Sequence, residues 1–173
     1  MLSVEGHGTV SRQDPSSEHC ETQYLSFPLG DERFAVEILK VQEIRPLTAI
    51  TPIPNTPAHI RGVINLRGII VPVFDLRLRF NLGRSSDSRF AIILVVTIRE
   101  RIVGLIADAV PKVLTVRTEE IAPVPEFGQR VDLSFVSGVL HRSQELVLLL
   151  DLEHLLAVEL GELESSDVPV SAA

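Results

Sequence analysis

The chain reads as an all-β protein of two small barrels that share an apolar interface, followed by a short C-terminal helix. Three observations predict this. Short runs rich in Val, Ile and Phe recur between Gly, Pro, Asn and Asp, as strands of a half-buried pleated surface do. Leucines at helical spacing occur in one place only, near the end. The strand pattern also comes twice, in the same order.

The repetition is specific. Gly62-Val63 precedes Asp75, and Gly138-Val139 precedes Asp151, with 13 residues from Gly to Asp in both cases. Glu32-Arg33-Phe34-Ala35-Val36 is echoed by Glu100-Arg101-Ile102-Val103-Gly104, and Ile53-Pro54 by Val124-Pro125, at offsets of 68 to 76 residues. A copy of about 60–70 residues buries too little apolar surface to be stable alone, so the copies should meet in a third, shared core.

Residues 1–22 have no apolar period and read as a flexible tail. A first strand at residues 24–29 turns at Gly30-Asp31-Glu32 into a run at 34–44. In that run Phe34, Val36 and Ile38 alternate with Ala35 and Glu37, and then the phase flips to Leu39 and Val41. A one-residue change of phase predicts a bulge, or a strand leaving one core for another surface. After the Pro-punctuated residues 51–57 comes a hairpin around Asn65, with Asn65 first and Gly68 last in a four-residue turn. Residues 75–80 suit a single helical turn. Further strands are expected at 90–98, 102–116 and 136–152, with a second Pro-rich stretch at 122–125. Leu152, Leu155, Leu156 and Leu160 predict the helix, with Gly161 as its stop. One domain then covers residues 23–160, in halves of roughly 23–85 and 86–160 with the exchange of strands between them left open, and 161–173 form a second tail.

A formal charge of −7 argues against a nucleic-acid partner, because phosphate binding needs clustered Lys and Arg. The longest apolar run, residues 90–98, is 9 residues, whereas a membrane helix needs about 20, so direct membrane insertion is not expected. A single cysteine, Cys20, excludes an intramolecular disulfide and a multi-thiolate zinc site. There is no secretory signal pattern, so a soluble protein in a reducing compartment is expected.

The five histidines lack the His-x-x-x-His spacing of a helical metal site, and the phosphate-loop, dinucleotide and nucleophile-elbow motifs are all missing. Asp75 and Asp151 could be imagined as a catalytic pair. Their matched places at strand ends fit helix capping better. The expectation is a binding protein with no catalytic residues, no metal and no cofactor. A small-ligand site between the two halves is the alternative.

Three blocks carry a family resemblance: FAVEILKVQEI at 34–44, IPNTP at 53–57, and the gapless IRGVINLRGIIVPVFDL at 60–76. Across residues 24–160 the chain resembles the CheW family of chemotaxis coupling proteins. The resemblance implies two tandem SH3-like five-stranded β-barrels and a non-catalytic scaffold, cytoplasmic at receptor arrays beneath the inner membrane. Its implied partners are the histidine kinase CheA and the cytoplasmic tips of chemoreceptors. It further implies kinase binding at Val41, Glu43 and Gly62, and receptor binding at Ile64, Asn65, Leu66, Arg67 and Gly68. The second copy carries His141-Arg142-Ser143-Gln144 where the first has Asn65 to Gly68, so the receptor role is expected of the first copy only.

Overall fold

The computed structural model describes residues 20–83, 89–125 and 133–165. The first repeat supplies β1 (Glu21–Leu29), β2 (Glu32–Glu37), β3 (Val41–Pro46), β4 (Ile60–Leu66), β5 (Ile69–Asp75) and the short helix α1 (Leu76–Arg79). The second repeat supplies β6 (Ile92–Ile98), β7 (Arg101–Ala107), β8 (Lys112–Arg117), β9 (Val136–Arg142), β10 (Glu145–Leu150) and α2 (Leu152–Ser165).

Two-residue turns join β1 to β2, β4 to β5, β6 to β7, and β9 to β10. In the last three, both turn residues have positive φ, the type I′ geometry whose twist matches the flanking strands. Side-chain preference does not select these turns, since Arg99-Glu100 and Ser143-Gln144 contain no glycine. The twist of the paired strands imposes them.

The strands form two five-stranded sheets, β8-β1-β2-β10-β9 and β3-β6-β7-β5-β4. A split near residue 85 therefore does not describe the sheets. Each takes the first two strands of one repeat and the last three of the other. The first crossing occurs where the sequence changed phase. The expected continuous strand at 34–44 is two strands, β2 and β3, broken by a 3-10 turn at Ile38–Lys40 and belonging to different sheets. The expected strand at 102–116 is likewise β7 and β8, interrupted at residues 108–111. A strand cannot face two cores with one alternation, so the chain must turn between them.

Three cores result. One lies within the first sheet, around Ala35, Val116, Leu140, Val147 and Leu149. A second lies within the other, around Ile64, Leu66, Val71, Val73, Ile93 and Val95. The largest joins the sheets and is filled by Phe27, Phe34, Phe74, Phe80, Phe135 and the α2 leucines Leu152, Leu155 and Leu156. Strand β6 explains the longest apolar run: Ile92, Leu94, Val96 and Ile98 face the shared core, while Ile93 and Val95 face the core of their own sheet. The expected shared interface is thus the main one.

Helix α2 continues through Gly161 to Ser165, past the expected stop. A glycine costs a helix about 1 kcal/mol without breaking it. It ends one when it turns left-handed, and Gly161 has no positive φ. At the other end β1 starts at Glu21, inside the expected tail; residues 1–19 and 166–173 lie outside the described residues.

Candidate functional site

Arg67 is the first residue of a two-residue turn, not the third of a four-residue one. The register pairs Leu66 with Ile69, and Arg67 and Gly68 lie at φ 51° and 85°. Left-handed backbone costs a residue with a Cβ roughly 1–2 kcal/mol, so the turn itself gives no reason for arginine. Asn65 does serve the turn, because its side-chain carbonyl accepts the Gly68 N–H at 2.8 Å.

The Arg67 guanidinium reaches across to β3, where Nη2 donates to Glu43 Oε2 at 2.6 Å. Arg45 Nη1 stands 3.8 Å from the other oxygen of the same carboxylate. Strands β3 and β4 are the two edges of their sheet, so this pair spans the seam between those edges. The Arg67 side chain is 73% exposed and that of Glu43 only 23%. The pair therefore shows its cation to solvent and hides its carboxylate. Its own worth is small, about 0–1 kcal/mol for so exposed a pair. Most guanidinium donors stay available for an outside acceptor.

The residues assigned from sequence divide into two groups. Asn65, Arg67 and Gly68 lie together at the seam on accessible surface, with the half-buried Glu43 held beside them by Arg67. Ile64 and Leu66 are buried in the core of the second sheet and offer no contact surface, because strand alternation turns them inward beneath Asn65 and Arg67. Gly62 is buried too. It sits at φ +139° beneath Thr51, and a Cβ there would lie 2.0 Å from the Thr51 carbonyl oxygen. That close approach lets Thr51 and Val63 exchange backbone hydrogen bonds at 2.9 and 2.8 Å. Val41 is half-buried against the shared core.

Sequence reading missed the exposed apolar residues around the seam. Leu39 on the 3-10 turn is 90% exposed, Ile44 on β3 is exposed, and Ile69 and Ile70 flank the tip at 51% and 63%. Alternation along 41–46 carries a signal for Ile44, since Val41, Glu43 and Arg45 share the other face. No sequence signal brings Glu43 and Arg67 together across 24 residues.

The second repeat closes its seam differently. Arg142 Nη2 donates to the Thr115 carbonyl at 2.5 Å and to Glu120 Oε2 at 3.1 Å. Glu120 also accepts the Arg117 N–H at 2.8 Å. That backbone hydrogen bond, with the charges of Arg142 and Arg117, holds the Glu120 carboxyl below its usual range. A lowered carboxyl pKa stabilises the fold above the unfolded-state value, and this contribution is lost as pH falls through the folded value. An NMR titration should show Glu120 protonating below the ordinary glutamate range, and Arg142→Gln should move it upward. A Glu120 midpoint indifferent to Arg142 would remove that contact.

Asp75 and Asp151 both cap helices. Asp75 accepts N–H bonds from Arg77 and Leu78, and Asp151 accepts that of His154. Each also donates its backbone N–H at 2.7 Å to an equivalent carbonyl, of His59 and Phe135 respectively. Among the described residues no cluster of His, Cys, Asp or Glu could hold a metal ion. No helix of these residues is long and apolar enough to cross a membrane.

Comparison with known proteins agrees with this geometry. The model of the CheW-like domain matches residues 23–160. The chemotaxis protein CheW of Klebsiella aerogenes is 38% identical over 156 residues, covering 90% of this chain and 93% of that one. Protein FrzA of Myxococcus xanthus is 30% identical over 138 residues, covering 79% and 86%. The crystal structure of the scaffolding protein TtCheW from Thermoanaerobacter tengcongensis superposes with a TM-score of 0.71 at 32% identity. It covers 80% of this chain and 90% of that one.

Proposed function

The chain belongs to the CheW-like domain family, and from that premise we propose that it is a non-catalytic adaptor coupling chemoreceptors to the histidine kinase CheA. It works in the cytoplasm, at receptor arrays beneath the inner membrane. The observation that carries this reading is the Arg67–Glu43 pair, which joins the surfaces assigned to the two partners. The receptor surface is Arg67, Asn65 and Gly68 with the exposed Ile69 and Ile70. Ile64 and Leu66 hold that hairpin from beneath. The kinase surface is Glu43 and the rim of Val41, with exposed Leu39 and Ile44, and Gly62 shapes it by admitting Thr51.

Arg67 acts by offering bidentate hydrogen bonds to a carboxylate or to carbonyl groups on a receptor tip. Because Glu43 holds it, the two surfaces are not independent. Arg67→Glu is expected to lower receptor affinity at least tenfold, about 1.4 kcal/mol, the worth of a charged contact reversed. Kinase affinity should also fall, since the new carboxylate faces Glu43. Glu43→Arg should do the converse. Combining the two restores the pair with its polarity reversed, and kinase affinity should partly recover while receptor affinity stays low. Titration of both partners against all three variants tests this. Receptor binding that survives Arg67→Glu in a folded protein would defeat the assignment.

The alternative, a small-ligand protein with a pocket between the halves, has no observation in its favour. The space between the sheets is occupied by wholly buried phenylalanine and leucine side chains.

A further inference from the structure

Outside the shared core the two sheets are tied to each other at two places related by the repeat. In each repeat the helix after the last strand carries a charged residue two places beyond its capping aspartate, Arg77 after Asp75 and Glu153 after Asp151. Each reaches toward a hairpin turn of the opposite sheet. Helix α1 follows β5, and Arg77 Nη1 stands 3.5 Å from Asp108 Oδ2. That oxygen also accepts the Gly30 N–H of the β1–β2 turn, in the other sheet, at 2.8 Å. Helix α2 follows β10, and Glu153 Oε2 accepts from Arg99 Nη2 of the β6–β7 turn at 2.9 Å. Equivalent in place, the ties are unequal in strength. The side chains of Arg77 and Asp108 are 15% and 18% exposed, those of Arg99 and Glu153 80% and 44%. Arg77 Nε is shut away from solvent, and Arg77 Nη2 lies 3.4 Å from where a Cβ on Gly30 would stand. Asp108 also opens the crossover at 108–111, and its own N–H donates to the Pro28 carbonyl at 3.3 Å. The other crossover, Ile38–Lys40, lies against β6 towards the Arg99 turn, with Val41 paired to Val96. Ile38 packs on the shared core and Leu39 is exposed, and among the described residues no ion pair holds this crossover.

We infer that Arg99 and Glu153 form a salt-sensitive clasp between the sheets, and that the shared interface opens locally at their end while the Arg77–Asp108 joint holds the other. An exposed ion pair adds little and is screened further by salt, whereas a largely enclosed one is screened much less. The part of a fold with the fewest fastenings opens before the whole. The clasp borders the crossover that carries Leu39 and leads into Val41, so a partner seated on those residues holds it shut. That consequence rests on the function proposed above, but the unequal fastening does not.

Native-state amide hydrogen exchange on the full chain reads both ends. At the clasp the amides of Val41, His154 and Leu155 are hydrogen-bonded, and at the joint those of Gly30 and Asp108. Raising the salt from about 0.01 to about 1 M shortens the Debye length from about 30 to about 3 Å. Over that range the clasp amides should exchange several-fold faster and the joint amides should not. Arg99→Ala should show the faster exchange already at low salt and lose its salt dependence. Arg99→Glu combined with Glu153→Arg should restore the wild-type pattern. Asp108→Asn keeps an acceptor for Gly30 but loses the charge, and should raise the unfolding equilibrium constant about tenfold, against a few-fold at most for Arg99→Ala. An equal salt response at both ends, or exchange indifferent to Arg99→Ala, would overturn the clasp. Bound kinase should slow exchange at His154 and Leu155. Kinase that binds without slowing them would cut the clasp off from the kinase surface. Kinase that does not bind at all would defeat the adaptor reading and leave the salt series to stand alone.

Discussion

Gly62→Val is expected to destabilise the protein by about 4 kcal/mol, the sum of overpacking, a β-branched residue at positive φ, and loss of the Thr51–Val63 hydrogen bonds. For a chain of this length that is a fall of roughly 8–16 °C in Tm. The obstacle is backbone: a Cβ at position 62 would meet the Thr51 carbonyl oxygen at 2.0 Å, its carbon at 2.6 Å and the Pro52 Cα at 2.9 Å. A side chain could swing away, but this segment is held by its own pairing to β4. Two other glycines calibrate the effect. At Gly138, in the equivalent place, the nearest atom is the Ile121 methyl at 2.6 Å, which can shift, and no positive φ is involved. At Gly68, φ is +85° but nothing lies within 4 Å, so alanine there should cost only the backbone conformation, about 1 kcal/mol. The expected order of damage is 62, then 138, then 68, measured by thermal or urea unfolding. Loss of kinase binding in a Gly62 variant should follow this displacement. A Gly62→Val protein with native Tm and lost kinase affinity would instead make position 62 a contact.

Asp75→Ala should cost about 2–4 kcal/mol, and Asp151→Ala only about 1 kcal/mol, although the two residues hold equivalent places. Both lose a cap. Asp75 is in addition wholly buried and bonded at 3.2 Å to Arg61, which stands at the bulge where the β4–β5 register shifts. The corresponding residue of the second repeat is Ser137, which bonds the Leu149 carbonyl. Removing the Asp75 carboxylate leaves a half-buried guanidinium without its partner. The Arg61 side chain is 40% exposed and can turn toward water, which keeps the cost below that of a fully buried pair. Replacing Arg61 by methionine in the Asp75→Ala background should recover part of the loss. Equal unfolding free energies for the two alanine variants would show that Arg61 adds nothing to the cap.

Much of this protein is legible in its sequence. Alternation, turn residues and the two Gly-to-Asp intervals are local or periodic properties, and they carried the all-β class, the duplication, both caps and the need for a shared core. Gly62 and Gly138 could be matched across the repeats, but nothing local reveals that Thr51 and Ala122 lie over them. The phase change at Ile38 was visible as an irregularity, with a bulge and a change of core both open. Only the sheet order decided that the chain leaves one sheet there for the other.

The sequence by itself determined most strands, the hairpins and the repeat, because strand period, turn chemistry and helix capping act over a few residues and leave their mark in order; the candidate site residues came from the family resemblance. Tertiary structure alone decided which repeat completes which sheet, and that Arg67 finds Glu43. Pairing between strands far apart in the chain depends on which apolar faces must be buried together, and two similar repeats satisfy the same local rules whether each pairs with itself or with the other. The interwoven arrangement gives β6 an apolar core on each face and lets the aromatic side chains of both repeats fill one interface. Arg67 and Glu43 meet because that arrangement makes β3 and β4 the two edges of one sheet, close enough at the hairpin tip for the ion pair to span them.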